Sequence, residues 1–305
     1  MKRHQPVFAD SFISFLNLKP DHWFYDLTLG DGGHTEKALD TGCRVVSFDI
    51  DPDSIARAID FLKGKYQPLL LNPSLAPSLP QDARWIIIKE NFARAGGLIS
   101  DLKLPLADAL LADLGTSQSQ ILNESKGLSF QLDAPLDMRL DPALSVTAKD
   151  LLNALSEKEL DKLLNLGDEE KARSIAKAIV SFRKSQPLTT TGQLADLVAR
   201  VKTKTYSKIH PATKTFMALR MAVNLERENL TEMLESLGKI LKPGAIAGVI
   251  SFHSAEDRLV KNYFRAFNKE GSFRVITEKP IKPSKDEISI NPKIRSAKLR
   301  LAQKV

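Results

Sequence analysis

The first 115 residues alternate between apolar, strand-like runs and helical runs, and aspartates close three of the apolar runs. The runs are WFYDLTL (23–29), RVVSFDID (44–51), RWIIIKENF (84–92) and ADALLADLG (107–115), with Asp26, Asp49 and Asp113 at the closing positions. A short helix ending at Leu39 follows the first, and PDSIARAIDFLKGK follows the second with Pro52 in its first turn, where a missing N–H costs nothing. Strands that alternate with helices predict a mostly parallel sheet covered on both faces. FADSFISFLNLKP adds an N-terminal helix, with Phe8, Phe12, Phe15 and Leu16 at helical spacing and a stop before Pro20. Residues 64–80, rich in Pro, Leu and Ser, read as a loop.

The pattern changes after residue 115. Residues 116–145 are loop-like, and three helical segments follow, each opened by a capping-box pair: Thr147 with Asp150, Ser156 with Glu159, and Thr190 with Gln193. Ala172, Ile175, Ile179 and Phe182 share one helix face, and nothing between about 145 and 205 reads as a strand. Strand-like runs resume with AIAGVISFHS (245–254), SFRVIT and SAKLRLAQK. The expected architecture is α/β: a Rossmann-like, mostly parallel seven-stranded sheet with an inserted helical domain. Residues 1–120 and 209–305 form the sheet-bearing domain, and 121–208 the insertion.

The stretch DLTLGDGGHTEKAL (26–39) is a glycine turn between a strand and a helix. A parallel sheet binds ligands at the carboxyl ends of its strands, where this turn lies. The dinucleotide fingerprint asks for a third glycine where this chain has Thr35, and a phosphate-binding loop asks for Gly-Lys-Ser/Thr, which is absent. What remains, Asp26-x-Thr28-x-Gly30-x-Gly32, resembles motif I of S-adenosylmethionine-dependent methyltransferases, with Thr28 at the first glycine position. That cofactor has no pyrophosphate and carries an ammonium and a sulfonium, which the Asp26 carboxylate suits. Gly30, Gly32 and Gly33 admit close backbone approach. Asp49, at the end of the second strand, is placed to accept both ribose hydroxyl protons, a feature shared with NAD enzymes. Phe92 is placed either against adenine or in the core, and Asp113 either in the crevice or in a turn.

Longer motifs follow in order: GDGGHT, DLGTSQSQ, GLSFQLDAPLDMR, HPATKTFMALRMAVN, ISFHSAEDRLVKNYF and SAKLRLA, with HQPV near the N-terminus. In that order they resemble the MraW family, the ribosomal RNA small subunit methyltransferases H, over nearly the whole chain. The resemblance implies a class I methyltransferase domain interrupted by a helical substrate-recognition domain. It also implies methylation of N4 of a cytidine in the decoding region of 16S rRNA by S-adenosylmethionine. Carried over by motif, cofactor binding falls on Gly32, Gly33, His34, Asp49, Phe92, Asp113 and Gln120. The family pattern D-L-G-V-S-S-P-Q is here Asp113-Leu-Gly-Thr-Ser-Gln-Ser-Gln120, without the proline that constrains the loop. The implied partner is 16S rRNA or the small subunit, and the resemblance allows a homodimer.

Chemistry and charge agree with an amine target on a polyanion. Methylation at cytosine C5 needs a cysteine nucleophile; Cys43 is the only cysteine, and it precedes the second strand, away from the crevice. An exocyclic amine needs only in-line placement about 3 Å from the methyl carbon and polar acceptors to orient it. Asp113, Asp137 and His253 are the candidates for that work, with Asp137–Arg139 alternatively a loop ion pair and His253 alternatively a helix cap. Residues 1–115 carry a net charge of −3 and residues 116–305 a net of +10. The segment 200–220 holds six Lys/Arg and no acid, and 279–304 holds eight against two. Phosphate or base contact is therefore assigned to Arg139, Lys202, Lys204, Tyr206, Lys208, His210 and Arg220, with His210 and Arg220 alternatively bracing the core. The five histidines and one cysteine lack metal-ligand spacing, so no metal is expected. With no apolar run long enough to span a bilayer and no secretory leader, a cytoplasmic enzyme is expected. The alternatives are a methyltransferase acting on another RNA and a non-catalytic RNA-binding ribosome-assembly factor.

Overall fold

The computed structural model describes residues 6–73, 83–121, 123–202 and 210–305. They form two compact units, one of residues 1–115 with 228–305 and the other of residues 116–227.

Among the described residues the first unit carries one sheet of eight strands: β1 (Trp23–Asp26), β2 (Arg44–Asp49), β3 (Leu69–Leu71), β4 (Trp85–Lys89), β5 (Ala107–Asp113), β6 (Leu241–Ser251), β7 (Phe273–Val275) and β8 (Lys298–Lys304). Their order is β3-β4-β2-β1-β5-β6-β8-β7. The first six are parallel; β8 runs antiparallel to both β6 and β7. Seven of the strands fall where the apolar runs predict them. The eighth, β3, lies in the stretch read as a loop. Its three leucines sit between Pro68 and Pro73, too short a run to show a period, and they pair with Ile86–Ile88 at the sheet edge. β6 begins before residue 245, because its register with β5 jumps between Ala107–Leu241 and Ala109–Ile246.

Both faces of the sheet are buried, so the strands read as continuous apolar runs. Alternate residues feed opposite faces. Tyr25, Val46, Phe48, Ile86, Ile88 and Leu110 pack with Leu98 of α4 (Ala95–Asp101), Met233 and Leu237 of α11 (Glu226–Ile240), and Phe264 of α12 (Ser254–Lys269). Phe24, Val45, Ile87, Ala109 and Leu111 pack with Phe12 of α1 (Ala9–Leu16), Leu39 of α2 (Gly33–Asp40) and Ala58 of α3 (Pro52–Leu62). Each buried Val, Leu, Ile, Phe or Met side chain among them contributes about 1.5–3 kcal/mol by leaving water. The result fixes the carboxyl ends of β1, β2 and β5 side by side.

The second unit is helical: α5 (Gln118–Ile121), α6 (Ala148–Ala154), α7 (Glu157–Leu166), α8 (Ala172–Phe182), α9 (Thr191–Val201) and α10 (Thr213–Val223). All three predicted capping boxes are present. Ala172, Ile175 and Ile179 are buried, and Phe182 packs at the edge of the same cluster. This unit runs to 227, beyond the expected limit of 208, because Phe216, Leu219 and Val223 of α10 share a core with Leu152, Leu160 and Leu164. Among the described residues no helix is long and apolar enough to cross a membrane.

Candidate cofactor site at the strand ends

Strand order reverses between β1 and β5, with β2 and β4 on one side and β6 on the other. The backbone divides there: Leu27 N–H still bonds Leu111 O of β5, while Leu29 N–H bonds Phe48 O of β2. The glycine turn fills the opening. Gly32 has φ of 82° and opens α2 as its N-cap, and a Cβ there would also press Ala58 at 3.2 Å. A Cβ on Gly33 would lie 2.7 Å from Pro6, so this glycine admits the close approach of Pro6.

Asp26 is fully buried and held by donors on both oxygens. Oδ1 accepts from Thr28 N–H at 3.2 Å, and Oδ2 from the Thr35 hydroxyl at 2.7 Å. Thr35 in turn lies 2.9 Å from Ser47 Oγ, which accepts from the Trp85 indole N–H at 3.1 Å. Thr35 spends its proton on Asp26, so Ser47 donates to Thr35. The chain is therefore directed, from Trp85 through Ser47 and Thr35 to Asp26. Burial pushes the Asp26 carboxyl up, opposed by His34 and by the donors on Thr35 and Thr28.

Asp49 accepts from Gly30 N–H at 2.8 Å on Oδ2 and from Asp51 N–H at 2.9 Å on Oδ1. Each oxygen keeps a second lone pair for a ligand hydroxyl. Burial raises its carboxyl to about 7, helped by Asp51 and Asp26 and opposed by the two N–H groups. The sign of the linkage follows. A group that binds its proton more tightly when folded stabilises the fold at low pH and loses that contribution as pH climbs through about 7. The melting temperature of the ligand-free protein is expected to fall across that interval, and Asp49→Asn to flatten the fall. An unchanged profile in the variant would refute the assignment.

Asp113 ends β5. Its N–H donates to Thr28 Oγ1 at 2.7 Å, which explains the threonine at a glycine position: its hydroxyl ties the glycine turn to the neighbouring strand. Oδ2 lies 3.8 Å from His34 Nδ1, while Oδ1 is buried without a hydrogen-bond partner among the described residues. Burial, then Asp26 and Glu256, push this carboxyl well above the carboxylate range. His34 is buried, and its Nε2 lies 3.0 Å from Val7 O, which requires a proton on Nε2, while Nδ1 faces Asp113.

The other expected site residues fall as follows. Phe92 opens a short turn capped by Asn91 just beyond β4, and packs partly buried against the sheet core. Gln120 lies in the helical unit, buried, with Oε1 accepting from Ser117 N–H at 2.9 Å. His253 is the N-cap of α12: Nδ1 accepts from Glu256 N–H at 3.4 Å and Nε2 sits 3.0 Å from Glu256 Oε1, the arrangement of a helix cap. Asp137 and Arg139 form a two-pronged ion pair at 2.7 and 2.8 Å, and Arg139 also donates to Leu144 O, so the pair holds its own loop. Arg220 pairs with Glu226 at 2.7 and 3.0 Å and donates to Thr116, a bracing position. Lys202 is committed to buried Glu169. His210 is exposed and stacked on Phe130, with ring centroids 4.3 Å apart. Lys204, Tyr206 and Lys208 lie outside the described residues. In the basic C-terminal stretch, Lys298 and Arg300 pair with Asp257, and Lys304 caps the carbonyls of Gly238 and Leu241.

Sequence reasoning missed the Trp85–Ser47–Thr35 chain behind Asp26. The one available signal was Ser47, a polar residue amid Val45, Val46 and Phe48 in a run buried on both faces. Thr35→Val keeps the shape and removes the hydroxyl that Asp26 and Ser47 share. It is expected to cost roughly 1–3 kcal/mol of stability by chemical denaturation, with Thr35→Ser retaining most of it.

A parallel sheet that reverses order beside β1, ends in an antiparallel β8–β7 pair and gathers acids behind a glycine turn defines a class I methyltransferase fold. The chain belongs to the MraW methylase family, whose model matches residues 1–305. It is 40% identical to the ribosomal RNA small subunit methyltransferase H of Carboxydothermus hydrogenoformans, over 99% of this chain and 98% of that protein. It is 41% identical to the protein of the same name from Cyanothece sp., over 99% and 95%. The corresponding Desulfotalea psychrophila protein is 39% identical over 100% and 99%.

Proposed function

We propose that this protein methylates ribosomal RNA of the small subunit with S-adenosylmethionine, and that its target is the N4 amine of a cytidine in the decoding region. The observation that carries the reading is end-to-end similarity to proteins named for that RNA, joined to a strand-end crevice that suits a cationic nucleoside. The residues fit the cofactor: Asp113 Oδ1 is a buried acceptor awaiting a donor, and three carboxylates complement positive charge. Asp49 would hold the ribose, Asp26 with Gly30, Gly32, Gly33 and His34 the methionine end, and Phe92 the adenine. When bound, the cofactor supplies an electrophilic methyl group.

The protein's own part is to orient the amine and exclude other chemistry. Cys43 supports an amine target. It lies just before Arg44, at the end of β2 opposite Asp49, is fully buried, donates to Ala38 O, and has its thiol raised by burial to about 11. A protonated, buried thiol at the far end of the sheet is no nucleophile for ring carbon methylation. Lys204, Tyr206, Lys208 and His210 remain the proposed RNA-facing set, while Arg139 holds its own loop through Asp137 and Leu144 O. Lys202 and Arg220 act through bracing.

The test is to delete the gene and measure methylated cytidines in small-subunit RNA by mass spectrometry. Loss of the N4-methyl signal is expected, restored by the wild-type gene. An unchanged signal would overturn the target.

A further inference from the structure

We propose that Asp113 carries a proton in the ligand-free protein and releases it when a sulfonium-bearing cofactor enters the strand-end crevice, so that cofactor binding is coupled to proton release. The inference rests on the cofactor reading above and adds a property that no similarity supplies.

Three acids meet at the strand ends, and their hydrogen bonds distinguish them. Asp26 receives a donor on each oxygen, from Thr28 and Thr35. Asp49 likewise receives two, from Gly30 and Asp51. Such donors favour the ionised form. Among the described residues Asp113 receives none on Oδ1, and its Oδ2 is 3.8 Å from the nearest ring nitrogen of His34, too long for a hydrogen bond. Around it stand Asp26 from β1, Glu256 from α12 and His34 from α2. Two of these three neighbours are acids that oppose a further negative charge. Val7 O requires a proton on His34 Nε2, and at 3.8 Å Nδ1 is too far to donate a hydrogen bond to Asp113. Of the three acids, Asp113 is the one whose surroundings do least to hold a negative charge. Burial acts in the same direction.

A fixed positive charge placed nearby reverses that preference, because a cation in a weakly screened site favours the carboxylate. The reaction then restores the starting state. With the cofactor bound, methyl transfer would leave a neutral thioether that keeps the S–C electron pair, and the proton shed by the amine would pass to the Asp113 carboxylate or to solvent. With the sulfonium charge gone, Asp113 again favours its protonated form.

Titration calorimetry of the full-length wild-type protein at neutral pH, in phosphate, HEPES and Tris buffers, tests this. With S-adenosylmethionine the observed heat should vary with the buffer ionisation heat, with a slope approaching about one proton released per site. S-adenosylhomocysteine, which keeps the ammonium but lacks the sulfonium charge, should give a clearly smaller slope. Asp113→Asn should remove the difference. In case that variant fails to fold or bind, infrared difference spectra of the wild-type protein should show loss of a protonated-carboxyl band on adding S-adenosylmethionine. Binding with a zero slope, or equal slopes for the two ligands, overturns the proposal and leaves the cofactor reading intact. No binding of either ligand overturns both.

Discussion

Lys202→Met is expected to destabilise the helical unit by about 3–5 kcal/mol, the usual cost of removing one partner of a buried ion pair. Glu169 is buried, with its side chain wholly out of solvent. Lys202 Nζ reaches its carboxylate at 2.7 and 2.8 Å, Thr215 Oγ1 donates at 2.9 Å, and Lys171 N–H at 3.3 Å. The ammonium also donates to Pro211 O at 2.8 Å. Without Lys202 the carboxylate keeps only the hydroxyl and one long backbone bond, in a place water does not reach. The double variant Glu169→Leu/Lys202→Met should recover most of the loss, because it removes the stranded charge as well as the pair. Hydrogen exchange across α8, α9 and α10, compared with the sheet, locates the effect. If Lys202→Met leaves those amides as protected as in the wild type and weakens only RNA binding, Lys202 is a surface contact after all and the bracing role is wrong.

Lys202 also shows where a sequence stops being legible. In a row of six basic residues without an acid, every lysine looks available to phosphate. Its partner is 33 residues away, and nothing in either local pattern links them. Lys298 and Arg300 likewise find Asp257 more than forty residues away, and Arg220 finds Glu226 six residues on, outside the three- and four-residue spacings a helix face offers. Charge can be counted from sequence, whereas pairing depends on tertiary geometry. Features governed by local rules are legible. The capping boxes at Thr147, Ser156 and Thr190 need only a three-residue spacing. Strands buried on both faces show themselves as unbroken apolar runs, and the acids that close them mark the crevice. The strand at Leu69–Leu71 was hidden because three residues cannot display a period. His253 was ambiguous for another reason. A histidine before S-A-E fits both a crevice and a helix cap, and only the contacts to Glu256 decide between them.

Asp49→Ala is expected to lower affinity for S-adenosylmethionine by roughly 100-fold or more. Two hydrogen bonds from ribose hydroxyls to one carboxylate are together worth about 3 kcal/mol or more, and each 1.4 kcal/mol is tenfold. Two effects are mixed in that number. The carboxylate also receives Gly30 N–H at 2.8 Å and Asp51 N–H at 2.9 Å, so its loss releases the glycine turn and the N-terminus of α3 together. A collapsed turn would weaken every ligand alike, whereas loss of the ribose acceptor weakens a ligand with both hydroxyls more than one that keeps a single hydroxyl. Calorimetry with adenosine and 2′-deoxyadenosine, alongside the cofactor, separates the two. The wild-type protein should prefer adenosine, and Asp49→Ala should bind the two nucleosides equally. If affinity falls but the preference for adenosine survives, the ribose contact lies elsewhere and Asp49 acts on the turn alone. If neither affinity nor preference changes, the crevice at the end of β2 does not hold the nucleoside.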